Sequence, residues 1–347
     1  MYISLLAAGV GWETRRPPNG KGDPVLIDEF GRRFQYLRLS LTEKCNFSCT
    51  YCLPNGYQGG AQKFLSQDEV VKLATAFAKL GTKKIRLTGG EPTLRPDLLS
   101  IISSLKEVSG IEKVALTTNA YRLPQMLRAL RVAGLDSLNV SLDSLRADRF
   151  LKICGMDYCE SIKASVDEAL ALGFHSVKLN VVLMKDINDD EFFDFVEWVR
   201  ERPVAVRFIE LMRTNDNHEF YRKHHLSTSE FVSRLSQHSW IQGARAADAG
   251  PATHFSHPEY QGQIGFIAPY SKDFCQSCNR LRVSAQGRLR LCLFGDGEGS
   301  LKHLLQDWSQ QDELCEQICA YLKVKTSGHR LHEQISGTMG SLSAIGG

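Results

Sequence analysis

Three cysteines lie close together in the stretch EKCNFSCTYCLPNG, and their spacing predicts a metal centre. Cys45, Cys49 and Cys52 follow the pattern CxxxCxxC. Thiolates at this spacing on one loop can surround a cuboidal iron–sulfur cluster, binding three of its four irons and leaving the fourth without a protein ligand. A zinc ion completed by a distant fourth ligand would suit the same spacing. The residues alone therefore predict a metal site and leave the metal open.

A second group of three cysteines lies near the other end of the chain. Cys275 and Cys278 form a CxxC pair, and Cys292 follows after thirteen further residues. This pattern is as typical of zinc as of an iron–sulfur cluster. His254 or His257 could supply a fourth ligand to zinc.

The elements that must position these thiols are strands and helices in alternation. Six runs rich in β-branched and apolar residues are separated by segments of helical period, which predicts a parallel sheet of repeated βα units. The first linking helix has a capping box, Ser66 with Glu69, and Gly81 at its end. Such a sheet is either open and doubly wound or curled into an incomplete barrel. The predicted strands are 36–41, 84–88, 113–118, 137–142, 176–182 and 204–210.

The polar motifs follow the predicted strands at one end of this sheet. The Cys45 loop follows the first strand, GGEP (89–92) the second, and TTN (117–119) and SLD (141–143) end the third and fourth. Ligands bind at the carboxyl edge of parallel sheets, so these signals predict one shared site. After residue 212 the alternation fades. We expect a loosely ordered extension at 1–24, a first domain at 25–212 and a smaller second unit at 213–347.

Several basic residues also stand out by position. Arg280 and Arg282 lie between the thiols of the second trio, where they could bind an anionic substrate such as a phosphate. Others interrupt apolar strand runs, where a solvated surface charge is less expected; these are Arg38, Lys84, Arg86 and Arg207.

The composition limits the class of protein. The 347 residues carry a net charge of +3, which is too small to predict binding to nucleic acid or to an anionic membrane. Ten cysteines without a recognisable signal peptide indicate a reducing compartment, and we expect a cytoplasmic protein in which disulfides are rare. No apolar stretch is long enough for a transmembrane helix. Cys315 and Cys319, four apart on a predicted helix, could share a metal, but we interpret them as ordinary buried cysteines. Cys154 and Cys159 have no assigned role.

The motifs together resemble a known family. CNFSCTYC with GGEP downstream is similar to the radical S-adenosylmethionine (radical SAM) superfamily. With TTN, VSLD, VRFIE, CxxCxRxR and the final Gly346-Gly347, the chain from about Phe30 resembles the GTP 3′,8-cyclase family, that of molybdenum cofactor biosynthesis protein A. Two positions depart from the family pattern: Ala120 replaces a common Gly, and Leu53 replaces a common Met.

The resemblance implies an incomplete (βα)6 TIM-like barrel with a smaller carboxyl-terminal domain that carries a second iron–sulfur cluster. The cofactors would be two 4Fe–4S clusters, on Cys45, Cys49 and Cys52 and on Cys275, Cys278 and Cys292, together with S-adenosylmethionine. Residues implied at S-adenosylmethionine are Tyr51, Gly90, Ser141 and Met212. Residues implied at the nucleotide are Arg38, Lys84, Arg86, Thr117, Lys178, Arg207, Arg280 and Arg282. Gly346 and Gly347 would reach into the site and help to direct the radical.

The implied reaction converts GTP to (8S)-3′,8-cyclo-7,8-dihydroguanosine 5′-triphosphate, the first step of molybdopterin biosynthesis. A 5′-deoxyadenosyl radical would abstract hydrogen from C3′, which then adds to C8. The implied partners are GTP, an external one-electron reductant, cyclic pyranopterin monophosphate synthase as the next enzyme, and a second copy in a homodimer. Two alternatives remain: a radical SAM enzyme with another substrate, and a non-catalytic protein that binds metal and a phosphate-bearing ligand.

Overall fold

A twelve-stranded sheet forms the centre of the described part of the chain. The computed structural model describes residues 25–60, 62–244, 250–295, 298–333 and 335. The strands are β1 (Tyr36–Ser40), β2 (Lys84–Thr88), β3 (Lys113–Thr118), β4 (Ser137–Ser141), β5 (Ser176–Leu183), β6 (Ala205–Glu210), β7 (Ile241–Gln242), β8 (Thr253–Ser256), β9 (Gln263–Ile267), β10 (Arg280–Val283), β11 (Arg288–Arg290) and β12 (Glu298–Ser300).

Helices connect the parallel strands. Within the described ranges they are α1 (Gln67–Lys79), α2 (Leu98–Glu107), α3 (Leu123–Val132), α4 (Ala147–Cys154), α5 (Cys159–Ala171), α6 (Phe192–Trp198), α7 (His218–His224), α8 (Ser229–Gln237) and α9 (Gln311–Leu322). The predicted capping box is confirmed: the Ser66 side chain accepts from the Glu69 N–H at 3.2 Å, and the Glu69 carboxylate accepts from the Ser66 N–H at 2.8 Å. No helix in the described ranges is long and apolar enough to span a membrane.

The strand order shows that the sheet is wound as a barrel. β1 to β6 lie side by side in chain order, and each pairs in parallel with the next. Since right-handed crossovers in one constant direction put every connecting helix on the same face, this order favours an incomplete barrel over a doubly wound sheet. The predicted α/β fold, an incomplete (βα)6 TIM-like barrel, is confirmed.

Strands from the last third of the chain extend both edges of this barrel. β9 pairs in parallel with β6, and β10 pairs in parallel with β1. β8 and β7 continue the first edge, and β11 and β12 the second, all antiparallel. The part of the chain after residue 212 therefore contributes to the same sheet as the part before it.

The two faces of the sheet differ in polarity because side chains alternate along each strand. Leu37, Leu39, Ile85 and Leu87 are fully buried in the core between the sheet and the helices. The alternate positions carry polar and charged side chains, and they point to the opposite face, which we call the inner face. In-register pairing aligns these positions from strand to strand: Arg282, Arg38 and Arg86 form one row across β10, β1 and β2.

Candidate functional site

A cavity opens at the carboxyl ends of the barrel strands, where the sequence motifs were predicted to meet. The thiols of the first trio and strand-end residues from β2, β3, β4 and β6 share its wall. Its lining includes Cys45, Cys49, Tyr51, Cys52, Gly90, Thr117, Asn119, Ser141, Asp143, Asn180 and Met212. The expectation of one shared site at this edge is thus met by the geometry.

Gly89 and Gly90 let the GGEP loop pack directly on the loop that carries the first trio. The Gly90 N–H donates to the Thr42 carbonyl and the Glu91 N–H to the Lys44 carbonyl, both at 2.8 Å. A Cβ on Gly90 would collide with the Lys44 carbonyl oxygen. The group that approaches these two glycines closely is the backbone of residues 42–44.

Glu91 ties the second and third strand-end loops together. It is fully buried, and its carboxylate accepts from the Thr93 N–H at 2.9 Å, the Thr118 hydroxyl at 2.7 Å and the Asn119 N–H at 2.6 Å. Burial raises the pKa of Glu91, and these hydrogen bonds oppose the rise. The Asn119 amide in turn donates to Asn46 Oδ1 at 3.0 Å and lies 3.8 Å from Cys45 Sγ. Glu91 therefore positions the Cys45 loop through Asn119.

Tyr51 connects the same loop to the fourth and fifth strands. Its hydroxyl donates to Asp143 Oδ2 at 2.9 Å, and Asp143 Oδ1 accepts from the Val182 N–H at 2.8 Å. Burial raises the pKa of Asp143 to about 6, although both hydrogen bonds favour the carboxylate. Sequence reasoning noted SLD as a strand-end signal and gave Asp143 no role; its role here is to hold Tyr51.

The first three thiols suit a positively charged metal group. Burial raises the pKa of Cys45 to about 12. A hydrogen bond with Cys154, together with burial, raises the pKa of Cys49 well above its ordinary value. Thiolates at these positions need a cation to stabilise them, which iron or zinc supplies. All ten cysteines of the described chain are free thiols. No three described His, Cys, Asp or Glu side chains are arranged around a point that would hold a single ion.

The inner face of the barrel concentrates positive charge. Arg86, Arg207, Arg280 and Arg282 are buried, between 4% and 6% exposed. Along the strands they alternate with core leucines, isoleucines and valines, as the period of two requires. The cationic residues at inner-face positions include Arg38, Lys84, Arg86, Lys113, Lys178, Arg207, Arg280, Arg282 and Arg290. Lys113 and Arg290 were not predicted, although the same period of two could have indicated them.

Crowding of like charges in this buried space destabilises the cations. Burial lowers the pKa of Lys178 to about 7, and Arg207, Arg86 and Lys84 lower it further. Burial also lowers the pKa of Arg207 to about 9, with Arg86 contributing. The reverse holds for Tyr36: its burial would raise the pKa, but Arg86, Arg38 and Lys84 bring it down to about 7.

Some of these donors have no acceptor among the described residues. Buried guanidinium nitrogens of Arg207, Arg280 and Arg282 lack any hydrogen-bond partner there. A buried, unsatisfied charged donor costs several kcal/mol unless a ligand supplies the acceptor. The inner face therefore suits a polyanion such as a triphosphate. Thr117 lies beside it and accepts from Arg86 at 3.3 Å.

The second trio lies at the start and end of the β10–β11 hairpin. Cys278 precedes β10 by two residues, and Cys292 follows β11 by two, so pairing of the strands brings the thiols together. Burial would raise the pKa of Cys278, but Arg280 and Lys325 lower it below the ordinary value. Met212 lines the first cavity and also packs in a small cluster with Cys292, Leu293 and Phe294. Met212 therefore connects the cavity of the first trio to the side chains around Cys292.

Several other predicted residues have clear positions. His254 lies on β8 against Gly265 and Arg207, and His257 packs on Trp240 and Tyr260; the structure thus brings neither histidine to the second trio. Ala120 keeps a left-handed backbone, with φ of +65°. Gly346, Gly347 and the extension 1–24 lie outside the described residues.

The remaining four cysteines lie on α4, α5 and α9. Cys315 and Cys319 are half-buried rather than buried. Cys154 and Cys159 are buried, and Cys315 lies 3.7 Å from the Ala76 carbonyl oxygen that its thiol faces.

Comparison with known proteins first defines the class. Residues 39–199 match the Radical SAM superfamily model, and residues 204–331 match the Molybdenum Cofactor Synthesis C model. The solved structure of Streptococcus suis SuiB bound to S-adenosylmethionine aligns with a TM-score of 0.59 over 84% of this chain and 69% of that chain. At 14% identity this similarity shows the fold alone. The chain is a radical SAM protein.

Closer relatives define the family. A GTP 3′,8-cyclase of Stenotrophomonas maltophilia is 51% identical over 93% of this chain and 99% of its own length. One of Haemophilus influenzae is 47% identical over 95% of this chain and 99% of its own length. The chain belongs to the GTP 3′,8-cyclase family of molybdenum cofactor biosynthesis.

Proposed function

We propose that this enzyme converts GTP to (8S)-3′,8-cyclo-7,8-dihydroguanosine 5′-triphosphate, the first step of molybdopterin biosynthesis. The observation that supports this most directly is the inner face, where buried arginines on β6 and β10 have unsatisfied donors. β10 begins beside the second trio and pairs with β1, which leads to the first trio. A nucleotide triphosphate is the ligand that matches such a face.

The cysteines would hold two 4Fe–4S clusters. Cys45, Cys49 and Cys52 would hold the first, with Tyr51, Gly90, Ser141 and Met212 around S-adenosylmethionine. Cys275, Cys278 and Cys292 would hold the second beside the guanine base. When bound, the first cluster and S-adenosylmethionine would supply the radical chemistry needed to remove hydrogen from C3′ of GTP and join C3′ to C8.

The inner-face residues would bind and orient the substrate. The cations would offset the triphosphate charge, and Thr117 would lie at the ribose side. Because the space is buried, each charge-assisted hydrogen bond there is stronger than in water. Gly346 and Gly347 would complete the site. The residues proposed for the nucleotide are Arg38, Lys84, Arg86, Thr117, Lys178, Arg207, Arg280 and Arg282.

The wider assignments are proposals of the same kind. An external reductant would deliver single electrons, and cyclic pyranopterin monophosphate synthase would take the product. We also propose a homodimer, a cytoplasmic location, and the division into residues 25–212 and 213–347.

Product analysis tests the proposal. The chain is reconstituted anaerobically with iron and sulfide and given dithionite and S-adenosylmethionine, with GTP, with ATP or without nucleotide. Formation of 5′-deoxyadenosine and of the cyclised nucleotide with GTP alone supports the cyclase. Cofactor cleavage that is indifferent to GTP would indicate another substrate, and absence of cleavage from a fully loaded protein would indicate a binding protein. Undiminished product from Arg282→Met would contradict the role of Arg282.

A further inference from the structure

A short segment after α9 packs directly on the second trio. We call residues 325–329 the capping segment. The His329 N–H donates to the Cys275 thiol. Gly328 lies so close that a Cβ on it would be 3.5 Å from Cys275 Cβ and 3.6 Å from its sulfur. The capping segment therefore covers Cys275 with backbone alone at this point.

Arg32 fastens the capping segment to the loop of the trio. Its guanidinium donates to the carbonyl of Cys275 at 3.1 Å, of Ser327 at 2.6 Å and of Thr326 at 2.7 Å. Asp28 holds the same guanidinium through Nε at 2.6 Å, and Arg32 is 8% exposed. One buried side chain from the residues before β1 thus joins Cys275 to the segment that covers it.

Lys325 places a second buried cation at the same trio. Its ammonium donates to the Leu291 carbonyl, next to Cys292, and lies 5.4 Å from the Phe34 ring centroid. It is near enough to Cys278 and Cys292 for its charge to act on both thiols. Lys325 is 6% exposed, and no carboxylate in the described ranges forms an ion pair with it. A buried ammonium is stable when negative charge lies nearby, and the thiolates of the trio are the groups that can provide it.

These two cations differ in kind from those of the inner face. Arg280 and Arg282 have donors without an acceptor among the described residues, which suits a substrate. Arg32 and Lys325 instead donate to backbone carbonyls beside the thiols. These hydrogen bonds therefore stabilise the backbone around the second trio.

We propose that Arg32 and Lys325 are positioning residues of the second cluster: Arg32 holds Cys275 and the capping segment in register, and Lys325 compensates the charge of the cluster and its thiolates. This inference rests on the proposed function, which places a 4Fe–4S cluster on the second trio. Net charge and hydrogen bonds at the sulfurs set the reduction potential of such clusters. The Lys325 charge stabilises the reduced, more negative form and so raises the potential.

The test isolates the second cluster. In a full-length chain with Cys45, Cys49 and Cys52 replaced by Ser, the variants Lys325→Met, Lys325→Arg, Arg32→Met and Arg32→Lys are reconstituted. Midpoint potential and the rate of iron loss to a chelator are then measured. We expect Lys325→Met to shift the potential to a more negative value and Lys325→Arg to restore it. We expect Arg32→Met to lose iron about tenfold faster, the usual effect of removing a partner of a metal ligand.

A control variant distinguishes the effect of removing a positive charge beside the cluster from the effect of removing a buried lysine elsewhere. Lys72 on α1 is also buried, at 4% exposed, donates to the Gln306 carbonyl at 3.0 Å and lies over the Trp308 ring. Lys72→Met is expected to leave the potential unchanged. If Lys325→Met gives the potential of Lys72→Met, or Arg32→Met retains iron like its parent, the inference is overturned. If the parent takes up no iron and sulfide at the second trio, the proposed cluster itself fails. Thermal melts of each variant identify any that do not fold.

Discussion

At the scale of single residues, Ala120 adopts a left-handed backbone conformation, which glycine would adopt with less strain. Its φ of +65° lies in the left-handed region, where an L-residue costs about 1–2 kcal/mol relative to glycine. Its N–H donates to the Thr118 hydroxyl at 2.9 Å, so the turn after β3 is fixed by its neighbours.

Replacing Ala120 by Gly should relieve this strain. Both Ala120→Gly and the control Ala129→Gly, in the middle of α3, remove a methyl group and add glycine flexibility to the unfolded chain. Only the first removes a left-handed alanine. We expect Ala120→Gly to be less destabilising than Ala129→Gly by about 1 kcal/mol in urea unfolding. Equal losses would contradict the left-handed assignment.

Asp143 should make stability depend on pH. Its pKa is about 6 in the folded protein, above the ordinary value of 3.8, so the folded state binds more protons between these values. Its contribution therefore destabilises the fold increasingly as pH rises from about 4 to about 6. Asp143→Asn can still accept from the Val182 N–H and donate to the Tyr51 hydroxyl. Urea unfolding between pH 4 and 7 should show that this variant gains stability relative to the parent as pH rises; parallel curves would exclude the effect.

At the scale of elements, the GGEP loop packs so closely on the first-trio loop that no side-chain atom fits at Gly90. We expect Gly90→Ala to displace residues 43 and 44 and to destabilise the chain by about 1–3 kcal/mol, as overpacking does. Displacement of this loop should also reduce the iron that is bound after reconstitution. Gly60→Ala is the control, because a methyl group there meets no atom within 4 Å. Similar iron content and stability in both variants would contradict the packing argument.

The six barrel strands and α1 could be predicted from the sequence because their signals are local. β2 and β3 have the predicted bounds, and the others differ by one residue at an end. α4 and α7 were missed; both are short, and α7 has no buried residue to give it a periodic pattern. The parallel pairing of β9 and β10 with the barrel could not be predicted, because it joins residues far apart in the chain. The positions of Arg32 and Lys325 beside the second trio could not be predicted for the same reason.

At the scale of the whole molecule, the small net charge of +3 conceals a segregated distribution. Cations gather on the inner face, while many carboxylates pair at the surface, as Asp190 does with Arg149 and Arg146. A composition can therefore exclude a large basic surface without excluding a strongly basic site. The spacing of the cysteines in the sequence predicted the metal sites. The pairing register of the strands was needed to show which arginines and lysines face the inside of the barrel.

This segregation predicts how GTP binding depends on pH, given the proposed function. Lys178 has a pKa of about 7 without ligand, and a triphosphate favours its protonated form. Above pH 7, binding must take up a proton, so affinity should fall by up to about tenfold per pH unit. Lys178→Arg keeps its charge and should make the dependence between pH 7 and 9 shallower; the remaining dependence would come from Tyr36, whose pKa is also about 7. Equilibrium dialysis of the reconstituted protein measures both; equal slopes would exclude Lys178 from the anion site.

The pairing of β1 with β10 also bears on synthesis of the chain. Tyr36 lies opposite Arg280, so the ribosome makes β1 some 240 residues before it makes β10, the strand with which β1 pairs. Until the ribosome has released that partner, β1 is an unprotected sheet edge of the kind that recruits other chains. Contacts this distant in sequence also slow folding. The nascent protein therefore carries one open edge of β1 until residues 280–283 have been made, and chaperones that shield such edges are expected to raise its yield.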